Sequence, residues 1–135
     1  MKKIISAIIL CAMLCCMTFT LASCGGPSSD PDKALAALQD AGLVAAKDST
    51  VLPTTLSLVG IKDVECVVSG TGKIDGEAET VTIFYFEDSK AANAAWEKAQ
   101  EYAGDKKTDE ETDWVCKKSG AMIYYGTKAA VKAAK

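Results

Sequence analysis

The residues able to do chemistry in this chain are few, and the missing types narrow the field most. There is no histidine among its 135 residues. That removes Ser-His-Asp and Cys-His nucleophile arrangements and the commonest zinc ligand. Of the six cysteines, Cys66 and Cys116 lie far apart in the sequence, so no C-x-x-C redox pair exists. Gly70-Thr71-Gly72 lacks the third glycine of a dinucleotide fingerprint and leads into a hairpin pattern, not a helix. The stretch Asp105 to Asp113 holds five carboxylates. It has no central glycine, its spacing does not suit calcium, and Lys106 and Lys107 compete, so it reads as a solvated loop. Glu65, Glu77, Glu79 and Glu87 are the only candidates for paired acid–base carboxylates, and all fall at strand edges or turns. The expectation is a chain with no catalytic residue, no metal and no cofactor.

The elements that would position any site can be read from residue 30 onward. Asp30 caps a helix, Pro31 suits its first position, and Asp32 sits in its first turn. Ala34, Leu35, Ala37 and Leu38 recur at helical spacing, and Gly42 suits the end. The 44–61 segment stays open between strand and loop, because Pro53 and Gly60 interrupt it. Val64 to Val68 reads as a strand ended by Ser69-Gly70-Thr71-Gly72, and Asp75-Gly76 is a hairpin signal. Thr80 to Phe86 is a second strand, rich in β-branched and aromatic residues. Asp88 or Ser89 caps a helix reaching about Ala103, with Ala92, Ala95, Trp96 and Ala99 on its inner face. Trp114 to Lys118 and Met122 to Tyr125 are two more strands around a Ser119-Gly120 turn, and Thr127 caps a short last helix.

The first 23 residues have a different composition. Lys2 and Lys3 precede a long apolar run, Ile4 to Leu21, that ends in the small residues Ala22 and Ser23 before Cys24. This order of charge, apolar core and small residues is that of an export signal; an uncleaved anchor helix is the alternative. Leu21-Ala22-Ser23-Cys24 resembles the lipobox of bacterial lipoprotein signal peptides. The resemblance implies that the Cys24 thiol is alkylated with a diacylglycerol, whose acyl chains are fatty acids such as palmitate. Cleavage before Cys24 would make it the new N-terminus. Two or three acyl chains would hold the protein on the outer face of the bacterial membrane, where one chain binds only marginally. The implied organisation is a signal at 1–23, a lipidated cysteine with a flexible Gly-Pro-Ser tether at 24–30, and one domain at 31–135.

Loss of Lys2 and Lys3 with the signal leaves 13 lysines, no arginine and 18 carboxylates, a net charge of −5. Such a surface is a poor ligand for nucleic acid. Cys11, Cys15 and Cys16 leave with the signal, so Cys66 and Cys116 remain as a single pair in an exported domain. That compartment favours a structural disulfide between them; the alternative is two buried free thiols.

Two segments align. Val64 to Gly70 matches Trp114 to Gly120, with Cys, Ser and Gly in order; Ile83 to Phe86 matches Met122 to Tyr125, and Lys90-Ala91-Ala92 matches Lys128-Ala129-Ala130. Chance similarity of two strand-strand-helix units is the alternative to a duplication. The predicted fold is α+β: a four-stranded antiparallel sheet from a ββα-ββα duplication, with both repeat helices on one face, plus the N-terminal helix. If the first strands of the units met at the centre, Cys66 and Cys116 would be close enough to bridge. The second and fourth strands, Thr80 to Phe86 and Met122 to Tyr125, both end apolar on their two faces. Either the N-terminal helix or the 44–61 segment covers the face away from the repeat helices, or Phe84, Phe86, Ile123 and Tyr125 form an exposed binding surface. The functional expectation is a membrane-anchored, extracytoplasmic, non-catalytic module that binds a protein, peptide or glycan. The alternative is a small enzyme inhibitor or an accessory subunit of an envelope complex.

Overall fold

The computed structural model describes residues 26–106 and 114–135. Their order is α1 (Pro31–Asp40), β1 (Val44–Asp48), α2 (Val51–Leu58), β2 (Val64–Ile74), β3 (Glu77–Phe86), α3 (Ser89–Lys106), β4 (Trp114–Ser119), β5 (Met122–Thr127) and α4 (Lys128–Ala133). The fold is α+β. One antiparallel sheet of five strands runs β1-β2-β3-β5-β4.

The start of α1 is set as the sequence predicts, with the Asp30 carboxylate accepting from Asp32 N–H at 2.9 Å. At its end the Leu43 N–H donates to the Leu38 carbonyl and the Gly42 N–H to Gln39. The same paired bonds close α2, from Ile61 to Leu56 and from Gly60 to Ser57. This is the Schellman ending, and it needs a left-handed residue, here Gly42 and Gly60 at φ near +90°. In each case the two residues bracketing the turn are buried together, Leu38 with Leu43 and Leu56 with Ile61. The turn that stops each helix also fixes its side chains into the core.

Helices lie on both faces of the sheet. Ala34, Leu38, Ala130 and Val131 of α1 and α4 pack with Val68, Val81, Ile83 and Tyr85. On the other face Leu56 of α2 and the α3 alanines Ala92, Ala95, Ala99 and Ala103 pack with Val67, Phe84, Phe86, Ile123 and Tyr125. The alanine stripe lets α3 lie close over the large aromatic side chains.

The four-strand expectation is corrected by β1, which pairs with β2 from Val44↔Thr71 to Asp48↔Val67. The 44–61 segment is therefore a strand followed by a helix. Pro53 falls in the first turn of α2, where the backbone N–H groups have no intrahelical acceptor, so it breaks nothing. Strand β2 also runs through Gly70 and Gly72 to Ile74. A Cβ at those two positions would sit 3.2 Å from Leu38 Cδ1 and 3.1 Å from Leu43 Cδ2. The glycines are where α1 and its turn approach the strand. Helix α3 continues past Gly104 to Lys106.

The duplicated arrangement also differs from expectation. The second strands, β3 and β5, meet at the centre, and the first strands lie outside them. The helices α3 and α4 sit on opposite faces, so no two-fold axis normal to the sheet relates the two segments.

Two substitutions separate the buried face from the surface. Phe84→Ala, at 1% exposure, should cost about 3–5 kcal/mol of unfolding free energy in a denaturant titration. Leu58→Ala, at 83% exposure, should change it by less than about 0.5 kcal/mol.

Candidate functional site

The two cysteines expected to bridge are both free. Cys66 faces the α1/α4 side and Cys116 the α3 side. With β3 and β5 between their strands, they stand roughly three strand spacings, about 14 Å, apart. A disulfide tolerates about 7 Å between Cα atoms. Their places along the strands differ as well, since Cys66 pairs with Tyr85, next to Met122, while Cys116 pairs with Tyr125. Burial pushes both thiols above the ordinary cysteine value.

The aromatic surface is also overturned. Phe84, Phe86, Ile123 and Tyr125 are all buried. Phe84 meets Tyr125 edge-on at 5.7 Å, and Tyr102 of α3 lies 6.0 Å from Phe84 and 6.4 Å from Tyr125. Trp114 closes the group 5.8 Å from Tyr125. Offset and edge contacts of this kind belong to a packed core. Lys106 caps it, with Nζ 5.0 Å from the Tyr102 ring centroid. The 44–61 segment, one of the two covers considered, does lie over this face through Leu56 and Ile61, together with α3.

What the fold does build is a cleft of about 620 Å³ at one end of the sheet. Five pieces of chain converge there: residues 26–31, the start of β2, the end of β3, the β4–β5 turn and Lys135. The Phe86 N–H donates to the Ala121 carbonyl at 2.7 Å and ties β3 to that turn. A bulge between Val64 and Cys66 leaves Glu65 out of the ladder and on the cleft wall. Lys135 stands on the wall too, and Tyr85, Phe86 and Met122 supply the apolar part.

The chain leading into α1 forms one wall, and it is fixed in place. The Ser28 N–H donates to the Ala134 carbonyl at 2.8 Å, and the Tyr85 hydroxyl donates to the Ser28 carbonyl at 2.7 Å. Pro27 is buried. A Cβ on Gly26 would fall 2.3 Å from the Tyr124 ring, so the backbone lies flat against it. Composition alone reads 24–30 as flexible; the partners that hold Gly26 and Ser28 are distant in sequence, Tyr85, Tyr124 and Ala134.

The titratable side chains of the cleft are Glu65, Tyr85 and Lys135. Tyr85 is committed to Ser28, and burial raises its phenol well above the ordinary range. It is no acid or base at neutral pH. The four glutamates considered as pairs divide between the ends of β3: Glu77 and Glu79 stand at the hairpin, Glu65 and Glu87 at the cleft end. Glu79 is buried with Oε2 lacking a hydrogen-bond partner, far from the cleft. Among the described residues no three His, Cys, Asp or Glu side chains converge as metal ligands. Of the acidic run, only Asp105 and Lys106 are described, at the end of α3. Cys24 and the apolar run before it lie outside the described residues. No protein-family model, curated protein or solved structure matches the chain.

Three measurements check this picture. Reductant should leave the melting temperature unchanged. A thiol reagent at neutral pH should label Cys66 and Cys116 slowly in the folded domain and fully after unfolding. In alkali, burial holds Tyr125 protonated up to about 12, whereas an unfolded tyrosine ionises near about 10. The folded state then binds the extra proton, so stability is full below about pH 10 and falls as pH rises toward 12. Ultraviolet titration should show this phenol ionising together with unfolding.

Proposed function

We propose that this chain is a lipid-anchored, extracytoplasmic, non-catalytic module that meets its partner at the cleft beside its anchor. The observation that carries the reading is Leu21-Ala22-Ser23-Cys24 at the end of an apolar export segment. The cysteine becomes the acylated N-terminus, and only Gly25 separates it from the fixed backbone at Gly26. Among the described residues no helix is long and apolar enough to cross a membrane. In this reading the acyl chains on Cys24 hold the protein at the bilayer.

The non-catalytic part of the reading rests on the residue set. A chain without histidine, whose cleft offers one free carboxylate, one ammonium and serine hydroxyls, lacks a nucleophile with a base beside it. The same set suits recognition. An apolar floor with hydroxyls and two opposite charges on its walls can orient a peptide, protein loop or glycan. The net charge of −5 leaves nucleic acid out of the partner list.

Mass spectrometry of the native protein should find an N-terminal peptide beginning at Cys24 and carrying diacylglycerol. Cys24→Ala should move the protein out of the membrane fraction. A native N-terminal peptide with an unmodified thiol ends the anchoring reading. For the cleft, affinity capture from solubilised envelope should recover a partner that is lost with Glu65→Lys and retained with Lys73→Glu, at the opposite end of the sheet.

A further inference from the structure

We infer that the lysine-bearing face of α4 and β4 rests on the phosphates of anionic lipid headgroups in the membrane that holds Cys24; this rests on the anchoring reading above. Charge is unevenly spread along the mature chain. From Trp114 to Lys135 there are five lysines and no acidic residue, whereas residues 24–113 carry 8 lysines against 18 carboxylates, a net of −10. Lys128 and Lys132 lie one turn apart on the outer side of α4, with Ala130 and Val131 buried beneath, and Lys135 follows just past the helix end. All three are exposed. Lys117, exposed on β4, belongs to the same side of the sheet. It pairs with Tyr124, and both Tyr124 and Val115, two residues before Lys117, pack with the core under α1 and α4. Lys118 turns to the other face, where its ammonium donates to Asn93 of α3. Among the described residues none of the four lysines on the α4 side is in an ion pair.

The anchored chain leaves the fold on this same side. Gly26 lies against the ring of Tyr124, the residue that pairs with Lys117. Ser28 is bonded to Ala134, the residue before Lys135. Cys24 is two residues before Gly26, a reach of about 7 Å. So short a leash, close to the Debye length of about 8 Å at physiological salt, keeps Lys117 and Lys135 within electrostatic reach of the headgroups. The carboxylates at the start of α1 are already engaged, Asp30 as the helix cap and Asp32 with Lys47 at 2.6 Å. Glu79, two residues before Val81 on β3 and so on the same face, is buried.

The occupant follows from charge and position. A domain of net charge −5 is repelled by an anionic bilayer unless it turns its positive side inward. Here the positive side is the one from which the tether runs to the lipid, and the tether supplies a high effective concentration. Lysine meets phosphate as a flexible point charge with few demands on geometry, which suits a fluid array of headgroups. Arginine, whose planar fork suits fixed bidentate partners, is absent. Each lysine brought to an anionic surface contributes about fivefold in partitioning. Four together set the orientation of a domain that the acyl chains alone leave free to turn. The contact needs anionic lipid and weakens as salt rises.

The test uses the full chain, exported and acylated in bacteria, with Cys24 acylation verified by mass. It is reconstituted into vesicles of phosphatidylcholine alone or of phosphatidylcholine mixed with phosphatidylglycerol. A bimane probe is attached through Ala129→Cys, beside Lys128 on α4, or through Leu58→Cys on α2, across the sheet; the unsubstituted protein gives the background from Cys66 and Cys116. With phosphatidylglycerol at low salt, lipid spin-labelled at the headgroup should quench the probe at 129 and leave the probe at 58 unchanged. The quenching at 129 should fall several-fold in phosphatidylcholine alone, in high salt, and in a Lys117→Glu, Lys132→Glu double variant that keeps its lipid and its melting temperature. An acylated protein whose probe at 129 is quenched equally with and without phosphatidylglycerol, or in neither, overturns the inference and leaves the anchoring reading standing. So does one quenched only after envelope proteins are added, the sign of an acidic protein partner. A protein that carries no lipid on Cys24 overturns both.

Discussion

Strand β3 carries apolar side chains on both faces over its second half, and a strand of that kind can exist in water only if both faces are covered. Val81, Ile83 and Tyr85 point one way; Thr82, Phe84 and Phe86 point the other. One helix cannot cover both, so the chain must place helices on each side. It does so by alternating: α1 on the first face, α2 and α3 on the second, α4 back on the first. The Schellman turns at Gly42 and Gly60 serve the same end, since each delivers one more aliphatic residue, Leu43 to one core and Ile61 to the other. The same two-sided demand buries Phe84, Phe86, Ile123 and Tyr125 under helices and places the cysteines on opposite faces of the sheet. Features that look functional in a list of residues are consumed by packing.

A second constraint comes from the ends of the chain. The segment before α1 has glycine, proline and serine, a composition that by itself specifies nothing. It becomes ordered because the Ala134 carbonyl at the end of α4 and the Tyr85 hydroxyl of β3 both reach Ser28. The Tyr124 ring then supplies a flat surface that only a residue without a side chain could lie on at Gly26. The closing helix thus fixes the opening segment, and the cleft exists because those two chain ends meet over the edge of the β4–β5 turn. A wall of this kind couples the cleft to whatever holds residue 24. Displacement of the N-terminal segment would break the hydrogen bonds to Ser28 and open one side of the cleft.

Local chemistry was the legible part of the sequence. The Asp30-Pro31 start, the Asp75-Gly76 turn, the Asp88 cap (Ala91 N–H to its carboxylate, 2.8 Å) and the alanine stripe of α3 depend on neighbours within a few residues. They read correctly for that reason. The errors all involve distant partners. Gly70 and Gly72 look like a strand end until Leu38 and Leu43 are seen lying over them. Thr127 holds the N-cap position of α4 as expected, but its hydroxyl bonds Thr80 and not the helix, donating to the Thr80 carbonyl and accepting from its N–H. The matched cysteines lie on opposite faces, because Cys66 pairs with Tyr85, which faces α1 and α4, while Cys116 pairs with Tyr125, which faces α3. A one-residue difference of register between two hairpins leaves no mark in a single sequence. Of the candidate site, Cys24 is read from local spacing alone, whereas the cleft could not have been read at all, since it is assembled from five separated stretches.

The polar and apolar parts of the surface are divided in a way that single residues do not reveal. All the charge of the domain lies off the Val51 to Val59 stretch, and the apolar residues exposed there are matched elsewhere among the large exposed hydrophobics only by Val44. A helix with no charge in its first or last turn receives nothing from its own side chains to offset its dipole. Its start is held instead from outside, by the Asp48 carboxylate, which accepts from the Thr50, Val51 and Leu52 N–H groups at 2.8 to 3.0 Å and is held below the usual carboxylate range by those bonds. One carboxylate at the end of β1 thus does what charged residues within the helix would otherwise do, and the helix holds its start without a charge of its own.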